Sequence, residues 1–530
     1  MLETAIVGGG LCGLALAASL TAQQRPFALF EARSRLGGRV LSEPSAKADM
    51  RVDLGPTWYW PDTQPGMVRL VADLGLLSFP QHDEGAVLRL HDYDKRADIA
   101  SHESVHAGAR RVVGGMVSIT EALALKVPAE AFHLEYVLTT IIDRGDHVEL
   151  HFKHDGQTVV VDARRVVLTM PPRIVEERIR FEPDLDSKLV EAMQDTYTWM
   201  AGEAKAVIVY DKALWREQGR SGNAFVLHEQ AVLGEIFDAC DDTGKGAALG
   251  GFVALAASLR ESFKAGLPML LGNQMGQVFG PELEHGEQHF KDWAADEFTC
   301  SRRDLIPPDE HPHYGNPYLR QALWDGRLFF GGSETASYAG GYMEGALDAA
   351  RRLARDVALY SPVVTAAPAA GTAPVVSNAA SVAAFSQWVA ARQAEVLELY
   401  KRHLNKLLAS PDKEIVTQRA MVLTVEQVFS GALLKLEELN FDMKNVPVEN
   451  GRSALTPELL NAFNEFLKTL IDTVPEYNRT SCALSNFPGE DKMSKDYFQA
   501  IMLDIAAAWK EFCLPVNALM LAKSPAMAAE

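Results

Sequence analysis

The stretch TAIVGGGLCGLALAASL, Thr4 to Leu20, constrains the fold more than any other part of the chain. An apolar segment runs into Gly8, Gly9 and Gly10, and an Ala/Leu-rich segment follows Gly13. That order reads as strand, glycine turn and helix. In the spacing G-x-G-x-x-G, Gly8 makes the tight turn, Gly10 lets backbone approach a pyrophosphate, and Gly13 lets helix and strand pack closely. The helix N-terminus adds partial positive charge. Glycines at this spacing also occur in ordinary turns, so the context decides. The next segment, PFALFEA, reads as a short buried strand ending at Glu31. An acidic residue there, about 20 positions on, accepts hydrogen bonds from an adenosine ribose. The expectation is a dinucleotide site on an α/β domain.

A chain of 530 residues has room for roughly two to four domains, each burying its own core. Cys12, Cys240, Cys300, Cys482 and Cys513 are scattered, with no CxxC pair and no metal spacing. That usage points to a reducing, cytoplasmic compartment, and no metal is expected. The N-terminus lacks a basic region and its glycines break the apolar run, so it is not read as a signal peptide. No stretch is long and apolar enough to suggest a membrane span. Asn478 to Thr480 matches a glycosylation sequon and reads as surface sequence in this compartment. The formal net charge of −19 offers no cationic footprint for nucleic acid, and at most mildly concentrates cationic substrates.

Further along, HVELHFKHDGQTVVVDARRVVLTMPP alternates apolar and polar residues around Asp155-Gly156. It predicts a β-hairpin leading into a buried strand, Val166 to Thr169, that stops at Pro171 and Pro172. Residues 61–110 carry no clear pattern. Residues 200–255 alternate and predict an antiparallel sheet, and helical patterns occupy roughly 258–298. Residues 361–382 are rich in Ala, Pro and Val and read as a semi-extended linker. Beyond it everything reads as helix. Thr456 is the expected N-cap of one helix, with Pro457 at its first position, and Ser494 that of another.

The next glycine turn separates flavin from nicotinamide. EARSRLGGRVLSE resembles the extended motif of FAD-binding oxidases of the glutathione-reductase superfamily, flavin amine oxidases in particular. The resemblance places Glu31, Arg33, Gly38 and Arg39 along the adenosine and pyrophosphate. By the same resemblance DLGPTW, with Gly55 and Thr57, runs beside the isoalloxazine, and Val137 offers its backbone to adenine. FFGGSETASYAGGYMEGALDAARRLA, from Phe329 on, is similar to the C-terminal FAD motif of monoamine oxidases. It implies that Glu334 bonds the ribityl or phosphate region and that Gly340 and Gly341 let backbone press on the flavin. The helix starting near Met343 would then aim its N–H groups at the pyrimidine edge, where reduction places negative charge.

On the reacting side, Lys205 in GEAKAVIVYDKALW is a lysine among small and apolar neighbours, costly unless hydrated or paired. It falls where amine oxidases hold a water against flavin N5; the plain alternative is an edge-strand lysine pointing to water. Lys212 reads as a solvated charge. Trp293 matches a tryptophan near the flavin. Tyr342 matches one wall of the aromatic cage that orients a neutral amine, or else is a core tyrosine packed on the helix. The opposite wall departs from the family: Ser301-Arg302-Arg303 stand where monoamine oxidases carry the flavin-linking cysteine and second tyrosine, with Cys300 two residues short. Non-covalent FAD follows from the resemblance. Arg302 and Arg303 either grip a substrate carboxylate bidentately or are surface arginines.

The resemblance covers residues 1 to about 360. It implies an α/β fold: a glutathione-reductase-type Rossmann-like FAD domain from 1–60, 111–180 and 301–360, with an antiparallel-sheet substrate domain from 61–110 and 181–300. The substrate domain is shorter than in large monoamine oxidases. Residues 361–382 are the linker and 383–530 an all-α C-terminal domain, expected to act as a lid, as an independent ligand-binding module, or as a contact for a protein partner or a second copy. The implied activity is FAD-dependent oxidation of an amine to an imine by O2, giving H2O2. Three alternatives stand: an L-amino-acid oxidase using Arg302 or Arg303, a related flavin dehydrogenase or monooxygenase, and a non-catalytic flavoprotein working through its tail.

Overall fold

The computed structural model describes residues 1–102, 104–308, 312, 314–360, 378–409, 415–443, 446–449, 451–481, 484, 487, 489–490 and 493–523. The chain divides into two compact units, Met1–Arg351 and Arg352–Glu530.

The first unit is built on two sheets. In the eight-stranded sheet, Leu2–Val7 lies parallel between Gln157–Leu168 and Ala28–Glu31, and Phe132–Leu134 extends that edge. The long strand Gln157–Leu168 is shared. Its first half pairs antiparallel with Val148–His154, and its last residues run parallel to Leu328–Phe330. The hairpin closes through Asp155 and Gly156, both at positive φ, as the Asp-Gly pair predicts. Parallel strands buried on both faces read as apolar runs, and Ala5–Val7, Ala28–Phe30 and Val166–Leu168 are all buried. Val7, Glu31, Leu134, Leu168 and Phe330 end at the same edge of the sheet, the side where ligands bind in open α/β folds.

The seven-stranded sheet runs in the order Glu287–Asp292, Ala204–Tyr210, Ala247–Val253, Leu233–Asp238, Arg220–Val226, Ala86–Leu90, Asp98–Ser101. It is antiparallel except for one pair, Arg220–Val226 with Ala86–Leu90, which is parallel. Ala204–Tyr210 is buried at every position because it has a strand on each side and clusters against both faces.

Several expectations need correction. The helical reading of 258–298 holds only for Ala257–Ser262 and Leu267–Phe279; Glu287–Asp292 is an edge strand whose charges, at Glu287, Lys291 and Asp292, imitate a helix surface. The unpatterned 61–110 region contains a helix, Pro65–Asp73, and four short strands.

The second unit is helical among its described residues: Asn378–Ala394, Val396–Ala409, Val416–Glu438, Leu455–Asn461, Phe463–Thr480 and Lys495–Ala522, beside a two-stranded ribbon. Its core is an aromatic cluster in which Phe429 stacks on Phe512 at 4.3 Å and Phe463 meets Phe512 edge-on at 5.0 Å. Ser494 accepts from the Tyr497 N–H as the expected N-cap. Thr456 does not cap: its helix begins one residue earlier, after Ala454, and its hydroxyl donates to Asn517 instead. The linker expectation lies outside the described residues up to 377, while 378–382 is already helix. No helix among the described residues is long and apolar enough to cross a membrane, and those residues hold no cluster of metal-ligating groups.

Candidate active site

At the carboxyl edge of the parallel strands lies a cavity of about 430 Å³, within the usual size range for a small-molecule site. One end is made by backbone. The helix Leu11–Ala22 starts at Gly10 with no side chain capping it, leaving its N-terminal dipole to a ligand. A Cβ on Gly13 would stand 2.0 Å from the Gly8 carbonyl oxygen, so only glycine permits this helix–strand approach. A Cβ on Gly10 would meet nothing nearer than the Gly38 Cα at 4.0 Å. Gly10 and Gly38 pack close together, a Cβ on Gly38 coming within 3.2 Å of the Gly10 Cα, and both present bare backbone to the cavity, as a cradle for a chain of phosphates requires.

Around this cradle, the Glu31 carboxylate accepts from the Gly9 N–H at 2.7 Å and the Arg33 N–H at 2.9 Å. Backbone bonds from Glu135 to Arg33 and from Tyr136 to Glu31 bring Val137 to the same wall. The Arg33 guanidinium turns to Asp296 and Thr299 and lies 5.3 Å from the Phe298 ring centroid. Burial would raise the Asp296 carboxyl, but Arg33 and Lys291 outweigh it and hold it down at about 2.

The other end is made by side chains. Lys205 is 3% exposed. Its Nζ donates to the Gly55 carbonyl at 2.9 Å and to the Thr57 hydroxyl. The ammonium also lies 5.3, 5.7 and 6.0 Å from the ring centroids of Phe237, Phe252 and Trp58, distances at which aromatic faces attract a cation. Burial pushes its pKa down from 10.5 to about 7, against the pull of Asp53. Trp293 lines the same end and donates its indole N–H to the Leu54 carbonyl at 3.0 Å.

Tyr342 stands beside Trp199, ring centroids 5.4 Å apart, and both line the cavity. Gly341 permits this: it has φ +81°, and a Cβ there would reach within 2.8 Å of Trp199. Met343, the first residue of the helix Met343–Leu359, lines the cavity next to them.

Of the residues expected from sequence, Gly8, Gly10, Glu31, Arg33, Gly38, Arg39, Gly55, Thr57, Val137, Lys205, Gly341, Tyr342 and Met343 line this one cavity. Two expectations are corrected. Glu334 is fully buried and does not line the cavity. Its oxygens are taken by the two Arg39 nitrogens, the Ser333 hydroxyl and the Trp199 N–H, and Arg39 also donates to the Trp199 carbonyl. This pair clamps the Trp199 backbone. Arg302 and Arg303 are exposed and do not line the cavity. They sit on a short 3₁₀ turn fixed by the Ser301–Asp304 capping box, and Arg302 faces Glu177. Cys300, buried with its thiol pushed up to about 12, lies off the cavity too.

Sequence reasoning missed Trp199, Trp60, Phe252, Glu203 and Thr169, which also line it. Glu203 alone gave a signal, standing two residues before Lys205 on the same strand approach; burial raises its carboxyl, with Arg260 opposing.

Comparison with known proteins adds three findings. Residues 97–358 match the family model of flavin-containing amine oxidoreductases, and residues 6–74 that of NAD(P)-binding Rossmann-like domains. The chain is 26% identical over 259 residues to flavin-containing amine oxidase A of Equus caballus, covering 47% of this chain and 46% of that one. It is 28% identical over 259 residues to the flavin-containing amine oxidase of Danio rerio, covering 47% of each. The chain thus spans about half the length of the curated relatives it matches. Solved structures of similar fold include putrescine oxidase, at TM-score 0.56 and 20% identity, and the cyclohexylamine oxidase of Brevibacterium oxydans, at 0.54 and 18%. Each match covers 68% of this chain and 99% of the other.

Proposed function

The chain belongs to the flavin-containing amine oxidoreductase family, whose members bind a flavin, and on that premise we propose that it is a FAD-dependent amine oxidase. The observation that carries the reading is a single cavity with a phosphate cradle at Gly10 and Gly38 and a desolvated lysine and an aromatic pair among its other walls. The residues fit the cofactor. Glu31, Arg33 and Val137 would hold the adenosine, Gly10 and Gly38 the pyrophosphate, and Gly55, Thr57, Gly341 and Met343 the ring. When bound, FAD would supply the two-electron acceptor for oxidation of an amine to an imine, with O2 as the oxidant that regenerates it and is reduced to H2O2, and the imine would be hydrolysed by water.

The chain's own residues supply position, charge and dryness. Tyr342 and Trp199 offer two ring walls that orient an amine in its neutral form and exclude water. Lys205, held by Gly55 and Thr57, supplies a nitrogen that burial poises between its protonated and neutral forms near pH 7. Attachment of FAD is non-covalent: among the described cysteines only Cys12 lines the cavity, and it sits at the cradle, where it accepts from the Gly332 N–H.

The amino-acid-oxidase reading loses its support, because Arg302 and Arg303 lie outside the cavity and the guanidiniums that line it, Arg33 and Arg39, are engaged by Asp296 and Glu334. Anaerobic mixing of the purified protein with a panel of amines and the matching amino acids tests the choice. Amines are expected to bleach the flavin band and their carboxylated counterparts to leave it. Bleaching by amino acids alone would reverse the assignment, and bleaching by neither would leave a non-catalytic flavoprotein.

A further inference from the structure

Behind Lys205 lies a buried charge cluster that the reaction described so far does not use. Asp53, on the strand Arg51–Asp53, and Arg111, on Arg110–Val112, are 3% and 4% exposed. The Asp53 Oδ1 accepts from the Ser42 hydroxyl at 2.5 Å and the Met116 N–H at 2.9 Å. Its Oδ2 has no hydrogen-bond partner and lies 3.9 Å from Arg111 Nη2. Arg111 donates from Nη1 to the Cys240 carbonyl at 2.6 Å, rests over the Phe79 ring at 5.3 Å, and leaves its Nε without a hydrogen bond. The cluster reaches Lys205 through its neighbours: Asp53 stands two residues before Gly55, whose carbonyl accepts from Lys205, and Arg111 is bonded to Cys240, three residues beyond Phe237, whose ring lies 5.3 Å from the lysine Nζ. One buried carboxylate thus stands close to two cationic groups, Arg111 and Lys205, and Asp53 cannot neutralise both.

The remaining neighbours of Lys205 do not alter this balance. Thr57 and Gly55 are neutral, and Phe252, its partner across the sheet, presents a ring. Lys291, opposite on the other flank, is taken by Asp296 at 2.9 Å. Glu203, two residues earlier, has its carboxyl raised by burial, which favours its neutral form.

We propose that the buried Asp53–Arg111 pair is a positioning device that sets how firmly Lys205 holds its proton, through competition of two cations for one carboxylate. The proposal rests on the reading of Lys205 as part of the reacting side of the cavity. Both Asp53 and Arg111 act on Lys205 in the expected senses, Asp53 favouring and Arg111 disfavouring its charge. An arginine stays protonated throughout the accessible pH range, so Arg111 is a fixed counterweight. The consequence is opposite behaviour on removing the two partners. Arg111→Met frees Asp53 for Lys205 and raises the pH at which the lysine titrates; Asp53→Asn leaves two cations facing one another and lowers it. A shift of about one pH unit is expected on removing one buried charge from the lysine's surroundings.

The test follows the 13Cε resonance of Lys205 against pH in lysine-labelled holoprotein, identified by its loss in Lys205→Met. Shifts of opposite sign in Arg111→Met and Asp53→Asn, with Arg111→Lys staying near the parent, are the expected result. Titrations that do not move, or that move the same way, overturn the proposal, since a merely structural role predicts no such antisymmetry. Should Asp53→Asn fail to fold, the Arg111→Met and Arg111→Lys pair decides alone. The pH dependence of flavin reoxidation by O2 separates the two readings: it must follow the resonance if Lys205 serves that step. A resonance that shifts while reoxidation does not would remove Lys205 from the oxygen reaction and leave its control by Asp53 and Arg111 standing.

Discussion

The two ends of the cavity are made of different material. At the cradle, function is carried by the absence of side chains: Gly10, Gly13 and Gly38 are neighbours through a strand–turn–helix and a following turn. At the lysine end it is carried by side chains from widely separated segments, Thr57, Trp199, Lys205, Phe252, Trp293 and Tyr342. Backbone recognition tolerates no change in shape, whereas the side-chain end depends on charge and on long-range clamps such as Arg39 with Glu334. The prediction is that mutations at the first end remove the cofactor and mutations at the second remove rate or stability.

The largest contrast is within the cradle. Gly13→Ala places a methyl 2.0 Å from the Gly8 carbonyl oxygen and should yield protein that neither folds stably nor retains flavin. Gly10→Ala, whose backbone at φ −75° suits any residue, should fold normally by circular dichroism and lose flavin affinity. Equal folding of the two variants would mean that Gly13 does not hold helix against strand.

Next is the clamp. Arg39→Ala leaves Glu334, which is fully buried, without its cationic partner. Breaking such a pair costs about 3–5 kcal/mol, readable by denaturant unfolding. Arg39→Met combined with Glu334→Gln should recover much of that loss, and no recovery would show that the clamp acts through something other than the unpaired charge.

Lys205→Met should slow turnover by roughly 10²–10³-fold, the scale of losing one positioned polar group, with flavin content unchanged. It also has a stability signature. The folded Lys205 titrates near 7 and the unfolded side chain near 10.5. Between those values the unfolded state binds a proton that the folded state does not, so this group's contribution to stability rises with pH across the window and is lost as pH falls through it. Lys205→Met should therefore flatten the rise of unfolding free energy from pH 7 to pH 10. A slope identical to that of the parent would place Lys205 in water.

The smallest effect is expected from the tail. Every residue lining the cavity lies at or before Ala346, and the helical unit closes its own core around Phe429, Phe463 and Phe512. A chain ending near residue 362 should keep its flavin and its turnover. Loss of either would make the tail a lid.

The difference between the ends also explains what was legible in the sequence. The cradle is local, so Gly8, Gly10, Gly13, Glu31 and Gly38 were readable from spacing and strand–helix context. Lys205 stood out because a lone lysine in an apolar strand is costly. Trp199 carried no signal, since its place beside Tyr342 depends on backbone bonds to Arg39 and Glu334, 160 and 135 positions away. Glu334 misled for the same reason: its motif fixes where it sits but not which groups reach its oxygens first. Arg302 and Arg303 were placed by matching a motif that this chain lacks, and the capping box of Ser301 with Asp304 turns both outward. The edge strand Glu287–Asp292 read as helix because it pairs on one side only and its charges follow no strict alternation.

The central claim is that one FAD lies non-covalently in this cavity. Its most direct measurement is the absorption spectrum of the purified chain before and after denaturation and removal of the protein. The account predicts a yellow protein that releases one equivalent of FAD into the supernatant. Colourless protein that takes up no added FAD, or flavin that stays with the precipitated chain, would contradict it.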